Sequence, residues 1–209
     1  MDHSAKLARA LEANKVTFDA GQLQLLLQYE KLLGDWNERI NLVSRASIER
    51  MDVQHIADAA AAVRWLPDGS PVVDLGTGGG LPGIVIAILR PELDVTLADT
   101  KNKKINFLQN CVRDLNLPKV RVHDAAGAAP EREYKILVCR AFATLEKIVR
   151  EGRRYLAPHG TICALKGRRE TVDEELAALP GRTRAEIIEY RLVDPDGEDS
   201  ERNLVIIRT

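Results

Sequence analysis

The chain has 209 residues, of which 45% are hydrophobic and 4% aromatic, and its formal net charge is −1 at pH 7. This length suits one domain with a modest extension, and the apolar fraction suffices for a core. Few aromatic residues and many Leu, Val, Ile and Ala favour helices packed on a sheet over a small β-barrel. The near-neutral charge excludes a general attraction to nucleic acid, so such a site would need a local basic patch.

Cysteine usage and the N-terminal residues indicate the compartment. Cys111, Cys139 and Cys163 lie far apart, each in an apolar run, a pattern that supports neither a disulfide framework nor a zinc site. The first residues do not combine a basic stretch with an apolar one, and no apolar run approaches about 18 residues. We therefore expect a cytoplasmic protein that holds no metal and enters no membrane. The sequence does not imply an oligomer.

The N-terminal third predicts helices. From Asp19 to Trp36 leucines recur at helical spacing, with Gln, Glu and Lys between them. A second helix is predicted from Ser47, a residue suited to the N-cap, to Trp65. We therefore expect residues 1–66 to form a helical extension that packs on a core domain of residues 67–209.

From Pro71 onward, short β-branched runs alternate with helical patterns. The predicted strands are 72–75, 95–98, 120–122, 136–139, 161–165, 185–193 and 203–208. The predicted helices are 81–89, 103–115, 145–155 and 171–179. This alternation predicts an α/β fold with a mostly parallel, doubly wound, Rossmann-like sheet. The last two strands are joined directly by a turn-rich segment and should pair antiparallel.

A glycine-rich turn carries the clearest chemical signal. Residues 72–83 read VVDLGTGGGLPG, which is a buried strand, a turn whose glycines let the backbone approach a ligand, and a helix that Pro82 can start. Asp74 lies at the end of this strand. Asp99 ends the next strand about 20 residues on, where a carboxylate can accept both hydroxyls of a ribose. The pattern predicts a ligand with an adenosine moiety.

Two cofactor classes compete for this turn. Gly78, Gly80 and Gly83 match the dinucleotide fingerprint G-x-G-x-x-G, which would indicate a nicotinamide-dependent oxidoreductase. The turn Asp-Leu-Gly-Thr-Gly-Gly-Gly fits a methyltransferase better, because S-adenosylmethionine carries an amino group that Asp74 can meet and has no pyrophosphate. We therefore predict S-adenosylmethionine at Gly76 to Leu81 and keep the oxidoreductase as an alternative.

Ordered motifs along most of the chain point to one family. They are Asn41-Leu, His55-Ile-Ala-Asp58, Asp74-Leu-Gly-Thr-Gly-Gly-Gly-Leu-Pro-Gly83, Arg140-Ala-Phe-Ala143 and Ala164-Leu-Lys-Gly167. With these motifs the sequence from about Leu25 to the C-terminus resembles the bacterial small-subunit ribosomal RNA methyltransferase G family, also called glucose-inhibited division protein B. Several ordered motifs are far more specific than one glycine loop.

The resemblance implies a fold, a reaction and a partner. It implies a class I methyltransferase that transfers a methyl group from S-adenosylmethionine to N7 of a guanine in the decoding-region loop of 16S ribosomal RNA, at position 527 of that RNA. The partner would be 16S ribosomal RNA or the small ribosomal subunit. Because N7 has a free lone pair and no proton, we expect alignment of the reactants and no catalytic base. A non-catalytic RNA-binding assembly factor is the second alternative.

The resemblance also implies roles for individual residues. Arg140 and Lys166 would be catalytic, and both follow strands at the carboxyl edge, where doubly wound sheets bind ligands. The cofactor would contact Asp74, Gly76, Thr77, Gly78, Gly80, Leu81, Asp99, Ala126, Gly127 and Arg140. The substrate would contact Asn41, His55, Asp58 and Lys166.

Charged residues near this edge lead to three further expectations. Arg140 and Lys166 should be exposed, so that replacing them leaves the melting temperature near that of the wild type. His55 and Asp58 lie three apart on a helix and could form a hydrogen-bonded pair, structural or functional. A basic patch for RNA phosphates could gather from Lys101, Lys103, Lys104, Lys166, Arg168 and Arg169.

Two positions depart from the family's pattern. Where the family has an acidic residue after its third strand, this chain has Ala126 and Gly127, so adenine would be held by backbone groups or by Asp124. The family's Asp-Ser on the second helix is Asp58-Ala59 here. These departures concern two contacts and leave the resemblance intact.

Overall fold

A seven-stranded sheet forms the centre of the protein. The computed structural model describes residues 2–44, 50–69, 71–127, 130, 132–181 and 183–209. In chain order the strands are β1 (Val72–Leu75), β2 (Val95–Asp99), β3 (Val120–Asp124), β4 (Tyr134–Arg140), β5 (Leu156–Lys166), β6 (Arg184–Leu192) and β7 (Ser200–Arg208). All seven predicted strands are therefore present, and most are longer than predicted because sheet pairing continues into polar flanking residues.

The strands lie in the order β3-β2-β1-β4-β5-β7-β6. Strands β1 to β5 pair in parallel, whereas β7 runs antiparallel to both β5 and β6. This confirms the predicted doubly wound α/β fold with an antiparallel C-terminal hairpin. The chain moves outward from β1 to β3 and returns to β4 beside β1, so the strand order reverses at β1 and β4. Doubly wound sheets bind ligands at the carboxyl ends of such a switch point.

Helices cover both faces of the sheet. They are α1 (His3–Ala13), α2 (Ala20–Asn37), a π-helical segment (Asp52–Ala57) that continues into α3 (Asp58–Val63), α4 (Gly83–Leu89), α5 (Asn102–Asp114), α6 (Leu145–Gly152) and α7 (Arg169–Ala177). One core cluster joins helices α1 to α5 to one sheet face, and a second joins α6 and α7 to the other. None of the helices in the described ranges is long and apolar enough to cross a membrane.

The N-terminal helices agree in part with the sequence prediction. Helix α2 begins one residue after Asp19, whose side chain accepts a hydrogen bond from the Gln22 amide in a capping box. The predicted N-cap Ser47 lies outside the described residues. Helix α1 was not predicted as a separate element, because its apolar stripe is short: its buried residues are Leu7, Ala10 and Leu11.

Side-chain hydrogen bonds join these helices to the rest of the chain. The buried hydroxyl of Tyr29 on α2 donates to the Gly79 carbonyl at 2.6 Å. The Asn14 side-chain amide exchanges two hydrogen bonds with the backbone of Val193, at 2.8 and 2.9 Å. Arg9 donates to the Pro195 carbonyl at 2.8 Å. The N-terminal helices thus contact both the glycine turn and the turn between β6 and β7.

Candidate active site

The glycine turn after β1 has a backbone that other residues could not adopt without strain. Gly76, Gly78 and Gly80 have φ angles of +72°, +60° and +91°, in the region that favours glycine. A Cβ atom at Gly76 would lie 2.1 Å from Cδ2 of Phe142. The turn therefore presents bare backbone at the switch point of the sheet.

Asp74 connects the two ends of this turn. Its Oδ2 accepts hydrogen bonds from the Thr77 hydroxyl at 2.6 Å and from the Gly83 amide at 2.7 Å. Its Oδ1 is buried and has no hydrogen-bond partner in the described part of the chain. Burial raises the pKa of Asp74 to about 7, although the bonds from Thr77 and Gly83 oppose the shift. The turn thus contains a buried acceptor atom without a donor.

Asp99 lies on the other side of the turn, at the end of β2. It is 6% exposed. One carboxylate oxygen accepts from the Gly78 amide and the other from the Lys101 amide, both at 3.0 Å. A cleft of about 530 Å³ opens beside it, with walls that include Leu75, Gly76, Ala98, Asp99, Thr100, Ala125, Ala141 and Phe142.

A second cleft adjoins the first at the end of β2. It measures about 720 Å³, and its lining residues include Ile40, Asn41, Lys103, Asp124, Ala126 and Gly127. Thr100, Lys101 and Lys104 line both clefts. The Ala126 amide donates to the Asp124 carboxylate at 2.9 Å, so that carboxylate fixes the loop after β3. The two clefts together follow the carboxyl ends of β1, β2 and β3.

Arg140 ends β4 and is held by the π-helical segment and α3. Its Nη1 donates to Asp58 at 2.9 Å and to the Gln54 carbonyl at 3.2 Å, and its Nη2 contacts Nδ1 of His55 at 3.0 Å. The Arg140 side chain is 15% exposed. Because a guanidinium only donates, Nδ1 of His55 is the acceptor and the ring proton is on Nε2.

His55 is neutral near pH 7 in this environment. Burial lowers its pKa to about 4, and the positive charge of Arg140 lowers it further, while Asp58 acts in the opposite direction. A neutral imidazole can accept from Arg140, whereas a charged one could not. The arrangement is therefore stable across the physiological pH range.

Asp58 has a second arginine partner on β7. Its Oδ1 accepts from Nε of Arg202 at 2.6 Å, while its Oδ2 accepts from Arg140. One carboxylate therefore lies between two guanidinium groups, and its side chain is 8% exposed. A pocket of about 420 Å³ lies here, lined by His55, Asp58, Arg140, Ala141, Leu165, Lys166, Gly167 and Arg202. We call Asp58, Arg140 and Arg202 the arginine cluster.

Lys166 ends β5 in the wall of the same pocket. Its ammonium group donates to the Ala143 carbonyl and to Glu175 on α7, both at 2.7 Å. The Lys166 side chain is 13% exposed. Lys166 thus holds the loop that follows Arg140, and Glu175 balances its charge.

Comparison with known proteins agrees with this architecture. The model of the family described as rRNA small subunit methyltransferase G matches residues 22–204. The chain belongs to this family. A relative from Chromobacterium violaceum with the name ribosomal RNA small subunit methyltransferase G is 37% identical over 97% of this chain and 96% of its own length. One of the same name from Xanthomonas oryzae pv. oryzae is 39% identical, covering 99% of this chain and 95% of its own.

Solved structures of other methyltransferases share the fold of this methyltransferase G family member. Precorrin-6y C5,15-methyltransferase from Geobacter metallireducens aligns with a TM-score of 0.55 at 14% identity, covering 80% of this chain and 90% of its own. The ribosomal protein L11 methylase from Lactobacillus delbrueckii subsp. bulgaricus also gives 0.55, at 15% identity, covering 75% of this chain and 79% of its own. At such identities these likenesses show the fold alone.

Family membership decides between the classes that the sequence left open. The protein is an S-adenosylmethionine-dependent methyltransferase of small-subunit ribosomal RNA. The oxidoreductase and the non-catalytic assembly factor are thereby set aside. Within the described ranges no cluster of His, Cys, Asp or Glu could hold a metal ion.

The residues at the glycine turn fit this methyltransferase's cofactor. The bare backbone of Gly76 and Gly78 admits close approach, and Asp99 offers a carboxylate at the end of β2. The Oδ1 atom of Asp74 can accept from an amino group at the point where the turn begins. The structure thus provides acceptors for the ribose and for the amino group of the methionine moiety.

The predicted site residues fall into three sets and a single residue. Gly76, Asp99, Ala126 and Gly127 line the two clefts. The buried Asp74, Thr77, Gly80 and Leu81, like Gly78, shape the turn and line neither cleft. The pocket of about 420 Å³, which Ala141 also lines, brings together His55, Asp58, Arg140 and Lys166. Asn41 lies apart from them, in the wall of the larger cleft with Asp124.

The expectation that Arg140 and Lys166 are exposed charges is wrong. Both side chains are largely buried and paired, Arg140 with Asp58 and Lys166 with Glu175. Their replacement should therefore affect stability, since breaking a buried pair leaves its partner without compensation. His55 and Asp58 are linked through Arg140, which contacts both of them.

The predicted basic patch is smaller than expected. Lys101, Lys103 and Lys104 line the larger cleft. Lys166 is paired with Glu175, however, and Arg169 forms ion pairs with Asp173 and Glu189. Arg168 lies apart from both clefts, beside Glu170 and Arg202. Lys104 pairs with Asp99 at 3.9 Å, so the exposed Lys101 and Lys103 are the main sources of positive charge at the larger cleft.

Sequence reasoning missed three residues of the site. Tyr29 holds the glycine turn from α2, Phe142 packs over Gly76, and Arg202 binds Asp58 from β7. Phe142 lies inside a motif that had been noted, so its place beside Arg140 was a usable signal. Tyr29 and Arg202 are far from the motifs in sequence and carry no local signal.

Proposed function

We propose that this methyltransferase modifies N7 of a guanine in 16S ribosomal RNA, with the cofactor at the glycine turn and the target base beside the arginine cluster. The observation that carries the proposal is the position of Ala141. This residue lines both the cleft beside the turn and the pocket that contains Arg140 and Lys166. A methyl donor in the cleft and a base in the pocket would therefore meet across the loop that follows β4.

The cofactor side supplies the binding contacts for the donor. Asp99 accepts hydrogen bonds from the ribose hydroxyls, and the Gly76 backbone lets the cofactor approach closely. Asp74 accepts a hydrogen bond from the amino group of the methionine moiety. The loop of Ala126 and Gly127, fixed by Asp124, borders the adenine. When bound, S-adenosylmethionine would supply a methyl group on a sulfonium: a bond from N7 to the methyl carbon would form as the carbon–sulfur bond breaks, leaving a neutral thioether and moving the positive charge to the methylated guanine.

The target side has to hold guanine without occupying N7. A guanidinium that formed a fork to both O6 and N7 would block the lone pair that reacts. We therefore assign Arg140 to O6 of the guanine or to its phosphate. Lys166 keeps the Ala141 to Ala143 loop in place through the Ala143 carbonyl. The site needs no general base, because N7 loses no proton in the reaction.

The remaining assignments concern RNA and compartment. His55 and Asp58 hold Arg140 for the substrate, and Asn41 faces RNA at the larger cleft with Lys101 and Lys103. Residues 1–66 act as an extension that supports the glycine turn through Tyr29, and residues 67–209 form the methyltransferase domain. The enzyme works in the cytoplasm on 16S ribosomal RNA or the small subunit.

The test is methyl transfer with a substrate that lacks N7. Labelled S-adenosylmethionine is supplied with unmodified 16S ribosomal RNA and with 30S particles, and the modified guanine is mapped by chain cleavage at N7-methylguanine. A matched transcript contains 7-deazaguanine, in which a carbon replaces N7. We expect label in guanine RNA and none in the 7-deazaguanine transcript. Equal labelling of both would contradict the N7 assignment.

A further inference from the structure

We infer that Arg202 is a positioning residue for methyl transfer, which holds the Arg140 guanidinium at the target pocket through their shared partner Asp58. The inference rests on the proposed function, in which Arg140 meets the target guanine. It adds a residue from the C-terminal hairpin to a site otherwise formed by the carboxyl ends of β4 and β5 and the π-helical segment.

The hydrogen bonds of Asp58 show the coupling. Its two carboxylate oxygens are divided between the arginines, with Oδ1 at 2.6 Å from Arg202 Nε and Oδ2 at 2.9 Å from Arg140 Nη1. Asp58 is 5% exposed, so little water is available to replace either partner. A buried carboxylate that loses one guanidinium keeps an uncompensated oxygen on that side. The orientation of Arg140 therefore depends on Arg202.

The net positive charge of the arginine cluster suits a ligand group with a partial or full negative charge. Two guanidinium groups share one carboxylate, so one positive charge is left over in the cluster. Lys166 adds none, because Glu175 lies 2.7 Å from its ammonium group. The cluster therefore keeps one net positive charge beside the target pocket, which can attract a carbonyl oxygen or a phosphate.

Arg202 lies on β7, a strand that pairs with β5 on one side and β6 on the other. Its neighbour Asn203 pairs with Lys166 in the antiparallel ladder of β7 and β5, and the Asn203 side chain donates to the Gly167 carbonyl at 2.6 Å. Asp58, in contrast, follows a π-helical segment, a type of helix that is common at functional sites. Arg202 thus links Asp58, and through it Arg140, to the central sheet.

The test compares Arg202→Gln and Arg202→Lys with a matched control. Only Nε of Arg202 contacts Asp58, so lysine can replace that single bond while glutamine removes the charge. Arg208→Gln is the control, since Arg208 lies on the same strand, pairs with Glu186 and is 70% exposed. For each variant we would measure kcat, KM for 30S particles, cofactor affinity and melting temperature.

We expect Arg202→Gln to lower kcat about tenfold or more, since small displacements of a positioned group are costly. KM for the particle and cofactor affinity should change less than about twofold. Arg202→Lys should recover most of kcat, and Arg208→Gln should match the wild type. A rise in KM with unchanged kcat would make Arg202 a direct RNA contact and would overturn the inference. A lower melting temperature with intact kcat would overturn it as well.

Two further measurements keep the inference testable if Arg202→Gln folds poorly or if the proposed reaction is absent. In a double-mutant cycle, Arg202→Met, which keeps the aliphatic length but removes the charge, should lower kcat less in an Asp58→Asn background than in the wild type, because the shared carboxylate is gone. The titration of His55, followed by NMR, needs no methyl transfer. Its pKa, about 4 in the wild type, should rise in Arg202→Gln as Arg140 leaves Nδ1. Unchanged titration in a folded variant would overturn the coupling.

Discussion

The cofactor side and the target side of this methyltransferase are built in different ways. The cofactor side is a continuous stretch of chain, from Asp74 to Gly83, in which backbone shape and one carboxylate define the turn. The target side joins side chains that are far apart in sequence. Asp58 lies 82 residues from Arg140 and 144 from Arg202.

The two sides are therefore sensitive to different kinds of substitution. A turn that depends on positive φ angles is destabilised when a side chain is added to one of its glycines, because the added Cβ strains the backbone at that residue. A cluster defined by charge fails when a partner is removed, because the remaining charges are buried.

The largest effect is expected from Gly76→Ala. The added Cβ would lie 2.1 Å from Phe142 at a φ of +72°, so the turn must shift or Phe142 must leave. We expect the free energy of unfolding to fall by about 3 kcal/mol. Cofactor affinity should fall at least about tenfold, as calorimetry would measure.

Gly34→Ala is the matched control for this substitution. Gly34 lies within α2, and an added Cβ would meet no atom within 4 Å. Alanine favours a helix interior, so this variant should gain about 0.5–1 kcal/mol. A Gly76→Ala protein that melts and binds like the wild type would show that the turn tolerates side chains.

Arg140→Lys should have the next largest effect. Lysine keeps the charge but cannot contact Asp58, Gln54 and His55 together. We expect methyl transfer to fall about 100-fold. The melting temperature should fall too, because hydrogen bonds of a largely buried group are lost. Arg150→Lys, at an exposed arginine of α6 beside Glu151, should change neither quantity. Full activity in Arg140→Lys would show that methyl transfer does not need the guanidinium group.

The pH dependence of stability tests Asp74. Burial raises its folded pKa from 3.8 to about 7, so between these values the folded protein binds a proton that the unfolded chain has lost. Stability from this group is therefore present at low pH and falls as pH rises through the window. Between about pH 5 and pH 7 the fall should be about 2 kcal/mol.

Asp74→Asn should remove that slope in urea unfolding experiments, while Asp114→Asn on α5 should keep it. The cofactor's amino group favours the charged carboxylate, so cofactor affinity should increase toward pH 7 in the wild type and stay level in Asp74→Asn. An identical slope in the wild type and Asp74→Asn would place the titration elsewhere.

The smallest effect concerns salt. RNA affinity should fall with rising salt because the exposed Lys103 and its neighbours line the larger cleft. Lys103→Gln should reduce the slope of log affinity against log salt by about one. Arg169→Gln should leave the slope unchanged, since Asp173 and Glu189 already pair with this arginine. A flat salt titration of the wild type would contradict a basic surface at this cleft.

The sequence predicted the cofactor side better than the target side, for a physical reason. Alternating hydrophobic strands and helices show the α/β fold directly, and the glycine turn lies within one motif. Burial and pairing are different, because they depend on where distant residues meet. Nothing near Arg140 in sequence reveals that Asp58 pairs both with it and with Arg202, so its predicted exposure was wrong.

Helix α1 was missed for a related reason. Its buried residues Leu7, Ala10 and Leu11 form too short an apolar stripe to stand out. These residues pack in the core shared with α2 to α5, and the Asn14 side chain at the C-cap of α1 binds the backbone of Val193. Periodicity over so few residues does not show a helix whose packing partners lie elsewhere in the chain.

The contact between α1 and the hairpin turn has a consequence for biosynthesis. Arg9 and Asn14 emerge first from the ribosome, but the backbone of Val193 and Pro195 that they bind is made 179 to 186 residues later. Helix α1 can pack earlier on α2 and the π-helical segment, through its buried leucines and the ion pairs His3–Glu30 and Lys6–Asp52. A nascent chain stalled before residue 193 would therefore carry α1 packed on these helices but lacking its hydrogen bonds to the hairpin turn, which form late in folding.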